Sequence, residues 1–415
     1  MALLVPILLA LLLGCSRAGP ERGITVRFLD RPDRNQAWAD AIQAFQAAHP
    51  DIRVELVEGP SATNAREDLY ATSLLAGDPI YDLVFMDIVW LPKFAAAGWL
   101  LPLDARLAAG EQADFLPGDL EGSRFRGRLY RVPMRTDAGL LFYRRDLLVA
   151  RALAPPRTWE ALVEEARALQ APPELWGYVF QGKQYEGLVV NFLELVWSAG
   201  GDVLDSQGRV ILDQPEAIAA LRWLRDAIVR HRITPPAVAT YEEQDSANVF
   251  LQGRSLFLRN WPYVWALTAE SPRVRGRVAI TALPGRADAV GISALGGWGF
   301  GVSRFSRHPE AAWAFARYAT SAEGQKRYAL RAGTVPARRA LLHDAELVAR
   351  NPHYPVLAKV LERARPRPVH PKYAQISDIL QHHVSAALVG RTEPQDALRA
   401  AARELRTLLA SPRTP

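Results

Sequence analysis

The apolar positions of this 415-residue chain follow a strand-like period, then a helical one, then a strand-like one again. Ile24 to Leu29 reads as a strand, and the next segment puts Trp38, Ile42 and Phe45 on one helical face before Pro50. Ile52, Val54 and Leu56 alternate as a second strand, a helix is predicted from about Thr63 to Ala76, and the near-continuous apolar run Tyr81 to Met86 is a buried strand. Strands that alternate with helices imply a parallel sheet covered on both faces, so this stretch predicts an α/β lobe.

Beyond it, Leu129 to Val132 and Gly139 to Tyr143 are two closely spaced strands with Arg135, Thr136 and Asp137 between them. Longer helices follow, one from the N-cap Thr158 through Gln170, one from about Gly187 to Ala199 closed by Gly200 and Gly201, and one from Pro215 to His231 with proline in its favoured first turn. Leu175 to Gln181, Ser255 to Leu258 and Val278 to Ala282 are strand-like pieces among them, which makes a second, helix-richer α/β lobe. Gly296-Gly297-Trp298-Gly299-Phe300-Gly301 reads as a mobile glycine-rich loop. Helices follow at about Pro309 to Ala319 and Ser321 to Arg331, and the tail from about Glu393 to Leu409 is helical. No internal repeat or low-complexity stretch interrupts the chain.

The N-terminus obeys neither period. Ala2 to Leu13 is an unbroken apolar run that ends at Gly14-Cys15, and Cys15 is the sole cysteine. The run is too short to span a bilayer as a helix and suits a secretory apolar region followed by a cleavage point, so residues 1–14 resemble a bacterial lipoprotein signal and 15–21 a tether. No Lys or Arg precedes the run, which departs from the usual signal. Acyl chains on Cys15 would anchor the protein, each buried methylene adding about 0.8 kcal/mol. The body is then expected to work outside the cytoplasm, lipid-anchored to the cell membrane, as a monomer.

The net charge of +6 at pI near 9.5 raises nucleic acid as a partner, but the basic residues are dispersed among acids, with no Lys/Arg tract and no RNP-like motif, so nucleic-acid binding is set aside. With one cysteine no internal disulfide forms, and no zinc or dinucleotide pattern calls for a metal or cofactor.

The chemistry-bearing candidates are aromatic and acidic residues at element ends. Asp87 lies just past a buried strand, where open parallel sheets bind ligands, although capping the helix near Val89 explains it as well. Asp137 lies between two strands and equally suits a turn. Trp261 and Tyr263 flank Pro262, and Trp298 sits among glycines, a poorer place for a core ring than a rigid element face; its loss is expected to spare ligand-free stability. Flat rings offer a face to the C–H side of a pyranose, and carboxylates and guanidinium groups take its hydroxyls, so the set points to a sugar site. There is no Gly-x-Ser-x-Gly elbow, Walker loop or HExxH, but a glycoside hydrolase needs only two placed carboxylates and stays open as an alternative.

Read in order, Phe85-Met86-Asp87-Ile88-Val89-Trp90, Gly98-Trp99-Leu100, Pro102-Leu103-Asp104, Asp137 to Leu141, Gln181 to Gly187, Arg259 to Tyr263, Leu295 to Trp298 and Arg365 to Pro368 resemble the solute-binding proteins of ABC sugar importers, most closely the trehalose/maltose-binding type. The resemblance implies a two-lobed periplasmic-binding-protein fold, type II-like, with a hinge and a cleft site. Lobe one would take 22–135 plus 285–335, and lobe two 136–284 plus 336–415. It implies an α-linked disaccharide such as trehalose or maltose as ligand, delivered without chemistry to membrane permease subunits, or to a sensor instead. Carried across by position, it marks Asp87, Asp137, Ser61 and Arg66 as polar contacts, Trp261, Tyr263 and Trp298 as stacking rings, Gly297 as a backbone contact and Arg367 as a donor. Arg34 and Arg135 replace an acid and a tyrosine of the resembling proteins, which raises an anionic or phosphorylated sugar or polyol as a second reading, against simple pairing with Asp33 and Asp137.

Overall fold

A computed structural model describes residues 23–286 and 291–410, so the expected signal, tether and Cys15 lie outside the described residues. Among the described residues no helix is long and apolar enough to cross a membrane. The strands in chain order are β1 (Ile24–Asp30), β2 (Ile52–Glu58), β3 (Leu83–Asp87), β4 (Arg124–Phe125), β5 (Arg128–Leu129), β6 (Val132–Ala138), β7 (Leu140–Arg144), β8 (Trp176–Val179), β9 (Ser255–Asn260), β10 (Val278–Thr281), β11 (Leu295–Val302) and β12 (Val335–Pro336).

Lobe one is built on β1 paired parallel to β2 and on a four-stranded sheet of order β12-β6-β11-β3. Asp82, at the root of β3, ties the two together by accepting the Arg27 amide on β1 at 2.9 Å. Val26 and Phe28 of β1 point inward on either side of the outward Arg27, the period-two pattern of a half-buried strand. They meet Trp38 and Phe45 from the helix Ala37–Ala48, together with Phe85, Phe300 and Phe315, in one aromatic core. The parallel pairing expected of these strands holds for β1 and β2, whereas β3 lies in the four-stranded sheet, which is antiparallel throughout because β11 returns from the second lobe and inserts between β3 and β6 against both.

Lobe two is a sheet of order β10-β7-β9-β8, with only β8 and β9 parallel. Alternate side chains of β7 feed opposite faces: Leu141 joins the core of the helices Trp159–Leu169, Glu186–Ser198, Pro215–Val229, Tyr373–Leu388 and Pro394–Ala410, while Leu140 and Phe142 face the helices Glu243–Leu251 and Tyr354–Leu361. The helix Glu186–Ser198 is buried on all sides; its apolar residues face every direction, and its buried Glu186, Asn191 and Glu194 are all hydrogen-bonded. Thr158 caps the preceding helix as its sequence predicts, its Oγ1 accepting from the Ala161 amide at 3.0 Å.

Two loop expectations are corrected. Arg135, Thr136 and Asp137 are not a turn but the second half of β6, so the boundary expected after residue 135 falls inside a lobe-one strand. Gly296 to Gly301 is not a mobile loop but the fully buried strand β11. Its glycines answer to packing. A Cβ on Gly296 would stand 3.2 Å from the Trp261 ring, and one on Gly297, whose φ is +152°, would stand 2.7 Å from Asp119 Oδ1.

The chain crosses between lobes after β6, between β10 and β11, and again beyond β12. The crossings lie side by side: Ser293 Oγ donates to the Gly139 carbonyl at 2.7 Å, the Arg365 amide to the Ser293 carbonyl at 2.9 Å, and the Leu295 amide to the Arg365 carbonyl at 2.8 Å.

Candidate ligand-binding site

Trp298 organises the lobe-one side. On β11 it stands in register with Asp87 of β3 on one side and Arg135 of β6 on the other. Its ring packs on Phe85 and Trp90, with centroids 5.4 and 5.2 Å away, and the guanidinium groups of Arg66 and Arg135 lie 4.7 and 5.4 Å from its centre. At 7% exposure it is largely core, contrary to the loop placement expected of it. Asp87 takes the capping role the sequence allowed, Oδ1 accepting from the Val89 amide at 3.2 Å, and the same oxygen accepts from Arg367 Nη2 at 2.8 Å.

The opposite wall comes from lobe two and the last crossing. Arg367 Nη1 donates to Glu186 Oε1 at 2.7 Å, and Glu186 also accepts from Tyr373 at 2.6 Å and from Ser377, so Arg367 bridges Asp87 of lobe one to the first turn of a lobe-two helix. The Glu186 amide donates to Asn64 Oδ1 of lobe one at 3.3 Å. Trp261 follows β9 directly, its ring 4.3 Å from the Arg259 guanidinium, and Tyr263 lies 5.6 Å from that of Arg31.

Arg135 Nη1 donates to Asp137 Oδ2 at 2.5 Å, leaving Asp137 Oδ1 and Arg135 Nε without hydrogen bonds, as are Arg66 Nε, which faces Asp30 Oδ1 at 3.8 Å, and Arg367 Nε. Burial pushes the Asp137 carboxyl up to about 6, with Arg135 pulling the other way. Beneath Gly297, burial raises Asp119 to about 7 and lowers Arg131 to about 10, although each opposes the other's shift. Burial also works against the charge of Arg367, but Asp87 and Glu186 outweigh it and hold the guanidinium above its ordinary range.

The structure thus brings together Asp87, Asp137, Arg66, Arg135, Arg367, Trp298 and Gly297 with Trp261 and Tyr263. Two expected residues stand apart. Arg34 is exposed and makes no ion pair, with Asp33 or otherwise, among the described residues. Ser61 is exposed and contributes its carbonyl, which accepts from Arg66 Nη1 at 2.7 Å. Sequence reasoning missed Arg31, Glu186 and the Asp119/Arg131 pair. Arg31 directly follows β1, and the strand-end rule that found Asp87 points to it too. A cavity of about 490 Å³ reaches Asp119 beneath Gly297 and is otherwise lined by Leu116, Leu295, Leu342 and Leu361 with Arg339 and Glu362. Among the described residues no cluster of His, Cys, Asp and Glu is placed to hold a metal ion.

Residues 30–326 match the profile of the bacterial extracellular solute-binding proteins. A probable ABC transporter-binding protein of Deinococcus radiodurans is 35% identical, covering 83% of this chain and 84% of its own length. The mannitol-binding protein of Pseudomonas aeruginosa is 26% identical, covering 86% of this chain and 87% of its own length. Among solved structures, maltose-bound MalE3 of T. maritima superposes with a TM-score of 0.89 at 38% identity, covering 93% of this chain and all of the other.

Proposed function

This chain belongs to the bacterial extracellular solute-binding proteins, and on that premise we propose that it captures an uncharged sugar or polyol between its lobes and presents it to the permease of an ABC importer. The observation that carries the reading is the convergence of the Trp261, Tyr263 and Trp298 rings with carboxylate and guanidinium groups from both lobes. Rings bind the apolar face of a sugar, and charge-assisted hydrogen bonds take its hydroxyls. A ligand shifts a hinge only if it touches both lobes in the closed state, and Asp87 with Trp298 on one side and Trp261 with Tyr263 on the other meet that condition.

The site's charges support an uncharged ligand over an anionic one. Arg135 is bonded to Asp137, Arg367 to Asp87 and Glu186, and Arg34 turns to solvent, so the two arginines that raised an anionic ligand supply no idle cation here. Maltose and mannitol, bound by similar proteins, fall in the proposed class, and within it we favour an α-linked disaccharide such as maltose or trehalose. Cys15, acylated after cleavage at Gly14, would tether a monomeric body outside the cytoplasm.

Thermal shift followed by titration calorimetry tests this with maltose, trehalose, mannitol and a phosphorylated sugar. The expectation is that one neutral compound raises the melting point and binds at micromolar strength, about 8 kcal/mol, and is recovered intact. Binding of the phosphorylated compound alone, or release of monosaccharide from labelled disaccharide, defeats the proposal.

A further inference from the structure

We propose that the buried Arg259/Glu194 ion pair is a positioning unit that couples the hinge to the Trp261 ring; this rests on the cleft-binding reading above. The pair is 1% and 2% exposed, and its two bonds run parallel, Nε to Oε2 at 2.7 Å and Nη2 to Oε1 at 2.6 Å. One end reaches the hinge. Glu194 Oε1 also accepts the backbone amide of Ala294 at 3.0 Å, on the crossing that leads into β11. The other crossing lies against the same groups, for a Cβ on Gly139 would collide with Glu194 Oε1 and stand 2.6 Å from Arg259 Nη2. Ser293 Oγ then binds the two crossings to each other through the Gly139 carbonyl.

The other end reaches the ring. The Arg259 guanidinium that holds Glu194 lies 4.3 Å from the centre of Trp261, and the ring is pinned from its backbone side, its amide donating to Asn260 Oδ1 at 2.8 Å. Gln181 closes the circuit: its Oε1 accepts from Arg259 Nη1 at 3.1 Å, and its Nε2 donates to Ser246 Oγ, which also accepts from Asn260. No polar atom of the Arg259 or Glu194 side chain is left without a hydrogen bond, whereas Arg66, Arg135 and Arg367 each keep an Nε with none.

A buried ion pair is a poor device for stability, since well-packed apolar groups of the same volume do as well. What it supplies is direction. A carboxylate bonded to the hinge backbone and a guanidinium beneath the aromatic platform cannot shift independently, so lobe rotation about Gly139 and Ala294 moves the face that Trp261 presents to a sugar. The reverse also holds, and stacking biases the hinge.

The test uses the whole mature protein and the tightest binder among maltose, trehalose and mannitol. In a double-mutant cycle of Glu194→Gln with Trp261→Phe, each single change is expected to weaken binding about tenfold, and the double variant to fall short of the product of the two losses by at least about fivefold. Losses that multiply to within about twofold overturn the proposal, since a merely structural pair lowers the melting point and leaves the cycle additive. Arg259→Lys replaces Glu194→Gln if that variant does not fold. A wild-type measurement runs beside it: hydrogen exchange at the Ala294 amide should slow by about tenfold on adding sugar, and an exchange rate indifferent to sugar overturns the coupling. Failure of the wild type to bind any of the three overturns the cleft-binding reading itself, and the coupling with it.

Discussion

Asp119 and Asp137 show how burial sets the chemistry of single residues. Both carboxyls are raised, to about 7 and about 6, so the folded protein binds their protons more tightly than the unfolded chain does. The stability this brings is complete below the ordinary carboxyl range near 4 and is lost as pH rises through 6 to 7. The denaturation midpoint is therefore expected to fall between about pH 4 and 7, and Asp119→Asn to flatten that fall; an equal slope in the variant would show that Asp119 does not titrate there. Trp298 makes the second residue-scale prediction. Packed on Phe85 and Trp90 at 7% exposure, it should cost about 3 to 5 kcal/mol of ligand-free stability when cut to alanine, measured by urea denaturation, besides weakening sugar binding. The residues themselves were unevenly legible. Asp87 and Trp261 stand at strand ends and could be found by that rule, and so could Arg31, three positions before the exposed Arg34 that the family pattern marked. Asp119 and Arg131 carried no signal, because their role depends on being stacked under a strand more than 150 residues away.

Elements with a clean period were readable, and β11 was not. β1, β2, β3 and the helices Ala37–Ala48, Pro215–Val229 and Pro394–Ala410 follow from apolar spacing, proline placement and caps. β11 is half glycine, a composition that local propensity assigns to a loop. Tertiary context overrides it. Trp261, Arg131 and Met86 occupy the space beside Gly296, Gly299 and Gly301, and only a strand without side chains lets them in. Gly299→Ala should accordingly destabilise the protein by about 1 to 3 kcal/mol, because its Cβ meets the Val132 carbonyl, which cannot yield. Gly110→Ala, in a helix with open space around it, should be neutral or stabilising by up to about 1 kcal/mol. Equal effects of the two in thermal melts would return β11 to the status of a loop.

At the scale of the whole molecule, the two lobes meet through Arg367. Its guanidinium joins Asp87 at the end of β3 to Glu186 at the start of a lobe-two helix, both bonds buried, with Tyr373 and Ser377 fixing the carboxylate from behind. On the proposed hinge-closure reading the bond to Asp87 forms only with the lobes together, so it would add free energy to the closed state alone and raise the closed fraction before any ligand arrives. Apparent affinity scales with that fraction, because a ligand that needs the closed form must first draw on its population. Arg367→Lys keeps a positive charge but cannot span both carboxylates in the forked geometry. Small-angle scattering of the ligand-free variant should therefore show a larger radius of gyration than wild type, with saturating sugar restoring the wild-type profile at about tenfold higher concentration. Identical ligand-free profiles with equal affinity would mean that the bridge forms after closure and plays no part in setting it.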